Sequence, residues 1–224
     1  RCNSAIAEEG LRGDWGANVG RVLLSEFGSD IKNEARAYAA AASDARMSGC
    51  ELPVVIVTGS GNQGITASVP VIRYAKHIGA SDERLYRALL VSDLVTIHQK
   101  TGIGRLSAYC GAVSAGCGAG AGIAYLLGGD YRAIAHTIVN AVAILSGTIC
   151  DGAKPSCAAK IASAVEAGIL GYYMYVNDQQ FRGGDGIVAK GVENTIRNVG
   201  LLASQGMKQT DRVILNIMTG DQCL

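Results

Sequence analysis

Residues 106–129 read LSAYCGAVSAGCGAGAGIAYLLGG, 24 residues with no Asp, Glu, Lys or Arg. A second uncharged stretch, Ala133–Cys150, follows after a few residues. Length alone suits two transmembrane helices. Composition argues otherwise. The first stretch is mostly Gly, Ala, Ser and Cys, and the second carries His136 and Asn140. Neither has a Lys/Arg-rich, Trp-flanked border. The reading is therefore a buried helical pair, Leu106–Leu127 and Tyr131–Ile149, in a protein outside the membrane.

The rest of the chain agrees with that core. Of 224 residues, 30 are Gly and only 5% aromatic, so backbones must approach closely around small side chains. Twenty Lys and Arg face 19 Asp and Glu, which argues against a strongly basic nucleic-acid binder. Asp30–Ser48 reads as a helix capped by Asp30, and Val19–Phe27 as a shorter one. Leu52–Thr58 (LPVVIVT) reads as a short buried strand or an extended segment. Gly59–Gly64 is a glycine loop, and Ile65–Ile78 a helix that Pro70 delays or kinks. Ser81 caps a helix running to about Lys100. Cys150–Cys157 is a loop, because Gly152 and Pro155 oppose helix. Ala158–Val176, Ile187–Ser204 and Thr210–Met218 complete seven or eight helices, Thr210 capping the last. The expected class is mainly α: a single compact helical domain over residues 1–224, with at most one short strand before the glycine loop. The N-terminus shows no signal-peptide h-region, and the expected compartment is the cytoplasm. Residue 1 is Arg, which reads as an excerpt from a longer chain.

Two segments carry chemistry. Gly59-Ser60-Gly61-Asn62-Gln63-Gly64 satisfies G-x-G-x-x-G after an apolar run and before a helix. A dinucleotide fold needs a second parallel strand ending in an acid, and Asp82 opens a helix instead. Converging N–H groups at such a loop suit a small anion such as a substrate carboxylate; a plain turn reads equally well. The cysteines are Cys2, Cys50, Cys110, Cys117, Cys150, Cys157 and Cys223, with no C-x-x-C among them. Cys150 and Cys157 bracket CDGAKPSC, where Lys154 favours the thiolate form. Two thiols are too few for a metal site, and Cys110 is the natural third. A buried structural role remains the default for any single cysteine.

Taken together, Ser60–Gly64, Cys110-Gly111 with Ala115-Gly116, and Ile149–Ala158 resemble the iron–sulfur L-serine dehydratase α-chain family. The resemblance is closest to its branch of L-cysteine desulfidases and serine dehydratase-like proteins. It runs from Gly10 to Met218. It implies a helical catalytic domain holding a [4Fe-4S] cluster on Cys110, Cys150 and Cys157. It also implies a substrate site at Ser60, Gly61, Asn62 and Gln63. The implied reaction is β-elimination from L-cysteine or L-serine. Family chains are longer, so a catalytic base from the missing N-terminal portion has no counterpart here.

For catalytic side chains the sequence offers Lys154, inside the ligand loop, and His98, near the turn before Cys110. His77 lies at a helix end, and His136 reads as a core residue. Cys117 reads as a core residue, and Cys223 as a tail thiol or a plug on the open iron. Three other readings stay open: a nucleotide-binding module using the glycine loop, a non-catalytic helical domain, and a zinc-binding structural protein. The Gly/Ala-rich helical surface also permits a homo-oligomer.

Overall fold

A computed structural model describes residues 1–220; the reading of Cys223 falls outside them. The described residues form ten α-helices and one π-helical turn. They are α1 (Cys2–Arg12), α2 (Val19–Phe27), α3 (Ile31–Met47), α4 (Gly61–His77) and α5 (Asp82–Ile103). After these come α6 (Gly111–Leu126), α7 (Tyr131–Leu145), α8 (Cys157–Val176), α9 (Val192–Leu201), the π turn Leu202–Gly206, and α10 (Lys208–Thr219). Among the described residues no helix is long and apolar enough to cross a membrane.

The centre is α6, which packs against α4, α5, α7 and α8. From Ala112 to Ala124 every residue of it is buried. Its glycines explain how so small a helix is so well covered. A Cβ on Gly116 would stand 2.4 Å from the Ala164 carbonyl, and one on Gly120 would stand 2.6 Å from the Gly168 carbonyl. On another face, a Cβ on Gly118 would meet the Ser92 carbonyl at 2.5 Å. The neighbouring helices thus touch α6 backbone to backbone, and glycine is what allows it. Ala-rich α3 does the same for the N-terminal helices: Gly10 of α1 rests on the Ala41 carbonyl, and Gly20 of α2 on the Ala37 carbonyl.

Several boundaries differ from the sequence reading, each for a physical reason. Leu52–Thr58 is neither a strand nor buried: it is irregular, with Thr58 at φ +51° and Val55 and Ile56 58% and 59% exposed. Its partner is a side chain. Asn3 of α1 accepts from Val55 N–H at 2.8 Å and donates to Val55 C=O at 3.2 Å, replacing a neighbouring strand. The only bridges among the described residues are Val57 with Ser60 and Tyr109 with Ile149. The glycine loop is shorter than read, because Ser60 caps α4 and Gly61 already begins it, leaving Asn62–Gly64 in the first turn. Pro70 is accommodated inside α4.

The helix expected over Leu106–Leu127 starts only at Gly111. The helix expected to reach Ile149 ends at Leu145, since residues 108–110 and 148–150 pair with each other. The helix expected from Ile187 starts at Val192, after a glycine-rich loop. Thr210 does not cap α10, which begins at Lys208. The helix α1 was not anticipated.

Candidate metal and substrate site

Three helix N-termini converge on one cavity of about 100 Å³. Ser60, Asn62 and Gln63 bring the start of α4 to it, Cys110 and Gly111 the start of α6, and Cys157 and Lys160 the start of α8. Each N-terminus carries partial positive charge from its unpaired N–H groups. Cys150, Gly152 and Ala153 close the remaining side. No carboxylate is among the lining residues.

Pairing between distant parts of the chain sets two of the cysteine segments side by side. Cys110 N–H donates to Thr148 C=O at 3.1 Å, and Cys150 N–H donates to Ala108 C=O at 2.6 Å. These bonds hold the two cysteine segments antiparallel around the Tyr109–Ile149 bridge. Cys110 is the N-cap of α6 and is buried. Burial pushes its thiol above the ordinary range, while the Ala112 N–H and Lys160 pull it back. The loop from Cys150 returns through Gly152 at φ +96°, a left-handed conformation suited to glycine. Cys157 then opens α8, its Sγ 3.6 Å from Gly152 C=O.

Asp151 organises that loop. Its carboxylate accepts from both Lys154 and Lys160, which holds it down at about 2, Lys154 contributing most. Lys160 also donates to Ile149 C=O at 3.1 Å and lines the cavity. Lys154 itself donates only within the loop, to Asp151, and does not line the cavity.

The α4 side supplies neutral polar groups. Ser60 Oγ accepts from Gln63 N–H at 3.4 Å. Asn62 is turned towards α3, accepting from Arg46 at 3.1 Å and from Ser43 at 3.4 Å. Gln63 Oε1 accepts from Thr58, a β-branched residue at φ +51°. That leaves Gln63 Nε2 over Gly111, where a Cβ would stand 2.4 Å from it. Glycine at 111 is what lets this amide donor lie beside Cys110. Gly61 is equally constrained, since its Cβ would stand 2.4 Å from the Arg46 guanidinium.

The cavity therefore brings together Cys110, Cys150, Cys157, Ser60, Asn62 and Gln63, with Gly61 just behind. It does not include His98, which pairs with Glu193 at 2.8 Å and lines a separate groove with Leu94 and Ile196. Two lysines that sequence reasoning passed over belong to the neighbourhood. Lys160, one turn into α8, is recognisable only once the loop geometry is known. Lys100, near the end of α5, is half-buried; burial lowers its affinity for a proton, and the thiols of Cys150 and Cys110 raise it. It lines an adjoining groove with Thr58, Gly59 and Arg105. Cys117 lies inside α6, fully buried, its thiol pushed up to about 12 by burial.

The donor set tests which metal group these residues suit. Among the described residues no three His, Cys, Asp or Glu side chains stand close enough to share a single ion. An iron–sulfur cube takes one thiolate on each of several irons rather than several on one ion. Three soft thiols, no competing carboxylate and three electropositive helix ends fit an anionic cluster of that kind.

Comparison with known proteins bears on the same residues. The family model described as serine dehydratase alpha chain matches residues 1–216. A UPF0597 protein of Desulfitobacterium hafniense is 69% identical over 221 residues, covering 99% of this chain and 51% of that protein. Another, of Lachnoclostridium phytofermentans, is 56% identical, covering 96% of this chain and 52% of its own length. A third, of Bacteroides fragilis, is 42% identical over 228 residues, covering 100% and 53%. The chain thus spans about half the length of these relatives. No solved structure matches it.

Proposed function

Since the chain belongs to the serine dehydratase alpha chain family, we propose that it is the cluster-bearing part of a lyase for a small L-amino acid. The family is of lyase type and is generally iron–sulfur dependent. One observation carries the finer reading: three thiols from separate segments share a cavity with the neutral donors at the start of α4. Cys110, Cys150 and Cys157 would hold a [4Fe-4S] cluster. When bound, its open iron would supply a Lewis acid for the leaving β-substituent.

The chain's own groups do the rest. The substrate carboxylate binds at the N-terminus of α4, taking hydrogen bonds from Ser60 Oγ–H and Gln63 Nε2. Asn62, held by Arg46 and Ser43, keeps the first turn of α4 in place rather than contacting substrate. Lys160 is a fixed cation at the cavity wall, oriented by Asp151, and it favours anionic thiolates and a departing anion. Lys154 is a positioning residue: it holds Asp151 so that Lys160 points inward.

With L-cysteine, loss of the α-proton and the β-thiol releases hydrogen sulfide. The resulting aminoacrylate takes up water and yields pyruvate and ammonia. With L-serine the leaving group is water. The alpha-chain description implies a companion chain or segment, and the relatives are about twice this length. An oxygen-sensitive cluster on free thiols suits a reducing, cytoplasmic setting.

The test is anaerobic assay of the full-length protein, following sulfide and pyruvate with L-cysteine and with L-serine. Equimolar sulfide and pyruvate from L-cysteine, abolished by Ser60→Ala combined with Gln63→Ala, is the expected result. Absence of pyruvate from both amino acids in cluster-loaded protein overturns the reading.

A further inference from the structure

A second cavity lies on another part of the molecule, lined from α7, α9 and the loop between α8 and α9. Its volume is about 330 Å³. Arg132, Arg182 and Lys190 line it, and no Asp or Glu does. None of the three makes an ion pair among those of the described residues. In a chain whose charges otherwise nearly cancel, three unpaired cations in one concavity concentrate positive potential. The first residues of α7 and α9 line it too, and α9 has no side-chain cap. The N–H groups of its first turn add to the same potential.

The loop is built to hold this shape. Asn140 of α7, fully buried, donates to Gly171 C=O at 3.0 Å and accepts from Phe181 N–H at 3.0 Å. Thr195 of α9, also fully buried, accepts from Ala189 N–H at 3.1 Å. Two buried side chains thus pin both ends of the segment that presents Arg182 and Lys190. Between them the chain closes tightly, Gly183 lying against Lys190 so that a Cβ would stand 3.0 Å from its backbone nitrogen. No acid nearby lines the cavity or forms an ion pair with these cations. Asp185 accepts from the Arg182 N–H, Asp130 caps α7, and Glu193 pairs with His98. Asp178 lines the adjoining concavity, which Arg132 and Arg182 also border. The rest of the lining includes apolar and aromatic side chains, Tyr131, Val139, Phe181 and Val188. His136, expected in the core, instead stacks on Tyr175 at 5.0 Å and lines this cavity.

We propose that this cavity is a second ligand site, distinct from the thiol cavity, that takes a small organic phosphate. The phosphoryl group lies between Arg182, Lys190 and the start of α9, with Arg132 on the opposite lip. The body of the ligand lies on Phe181 and Tyr131. The inference stands independently of the reaction proposed above.

The experiment is calorimetric titration of the chain with ADP and, separately, with pyrophosphate, at fixed ionic strength. Saturable binding is expected. Arg182→Ala and Lys190→Ala should each weaken it roughly tenfold or more, as loss of one charge-assisted contact does. Lys208→Ala, which removes an exposed cation on α10, should leave it unchanged. ADP binding more tightly than pyrophosphate, with the margin erased by Phe181→Ala, identifies a ring-bearing phosphate. Equal affinities identify the phosphoryl group alone, and both results support the site. No saturation at millimolar probe, or equal weakening by Lys208→Ala, overturns the proposal. Circular dichroism of each variant confirms that the fold is retained.

Discussion

Gly168→Ala tests the packing that brings the thiols together. Gly168 lies mid-way along α8, where a Cβ would stand 2.3 Å from the Gly116 carbonyl oxygen and 3.1 Å from the Gly120 nitrogen. Ordinary contact begins at 3.4 Å, so the helices must part by about an ångström. Replacing a mid-helix Gly by Ala normally gains about 0.5–1 kcal/mol. Overpacking against atoms that cannot rotate away costs about 1–3 kcal/mol. The obstacle here is backbone on both sides, so the cost falls at the upper end. The net loss is about 2 kcal/mol, or roughly 4–8 °C in Tm for a chain of this size. Because α6 and α8 carry Cys110 and Cys157 at their starts, the same displacement should reduce iron loading. Gly102→Ala in α5 is the control. Its Cβ would meet only the Gly200 Cα, at 3.5 Å, so the propensity gain should appear unopposed as slightly higher stability. Urea unfolding followed at 222 nm reads both variants. If Gly168→Ala is as stable as the parent, or Gly102→Ala is the more damaging, the close-packing argument is wrong.

Further outcomes follow from the same geometry. Asp44, fully buried, accepts from Val19 N–H at 2.7 Å and Ala17 N–H at 3.3 Å; Asp44→Ala should cost about 1–3 kcal/mol by orphaning those donors. Burial raises the Asp44 carboxyl above its ordinary range despite its backbone donors. The folded state therefore holds the proton more tightly, and the parent should lose stability as pH rises through the usual carboxylate range, a slope that Asp44→Asn removes in urea titrations from pH 3.5 to 7. Asp151 has the opposite sign: held at about 2 by Lys154 and Lys160, its contribution is complete above the ordinary carboxylate range and is lost as pH falls towards 2. Acid exposure should accordingly raise hydrogen exchange in residues 150–157 before the rest of the chain, and uniform exchange across the chain would contradict this. In metal-free protein, iodoacetamide should label the partly exposed Cys2, Cys50, Cys150 and Cys157 well before buried Cys117; early labelling of Cys117 by mass spectrometry would refute the placement of α6.

Much of this architecture is legible in the residues, because helices announce their ends. Asp30 and Ser81 cap as their residue types suggest. The uncharged stretches declare a buried core through their glycines. What was not legible depends on long-range partners. The buried face of α1 is made of Asn3, Ile6, Ala7 and Gly10, too small and polar to read as amphipathic, and distant partners cover it, Ala41 against Gly10 and Val55 against Asn3. LPVVIVT has strand composition but no neighbouring strand, and Asn3 takes that place. At the site, the three cysteines were nameable from spacing and resemblance together. Lys160 and Lys100 were not, since ordinary helix lysines give no signal until the loops around them are folded. His98 shows the reverse: its position in sequence suggested the site, and a helical turn directs it to Glu193 instead.

The central claim is that Cys110, Cys150 and Cys157 together hold one cluster. It is tested most directly by anaerobic reconstitution with iron and sulfide, followed by iron and acid-labile sulfide analysis per chain. The account predicts about four irons per chain in the parent. Cys110→Ala, Cys150→Ala and Cys157→Ala should each sharply lower that number, whereas Cys50→Ala and Cys117→Ala should keep it. Full loading in all three of the first set, or none in the parent, would contradict it.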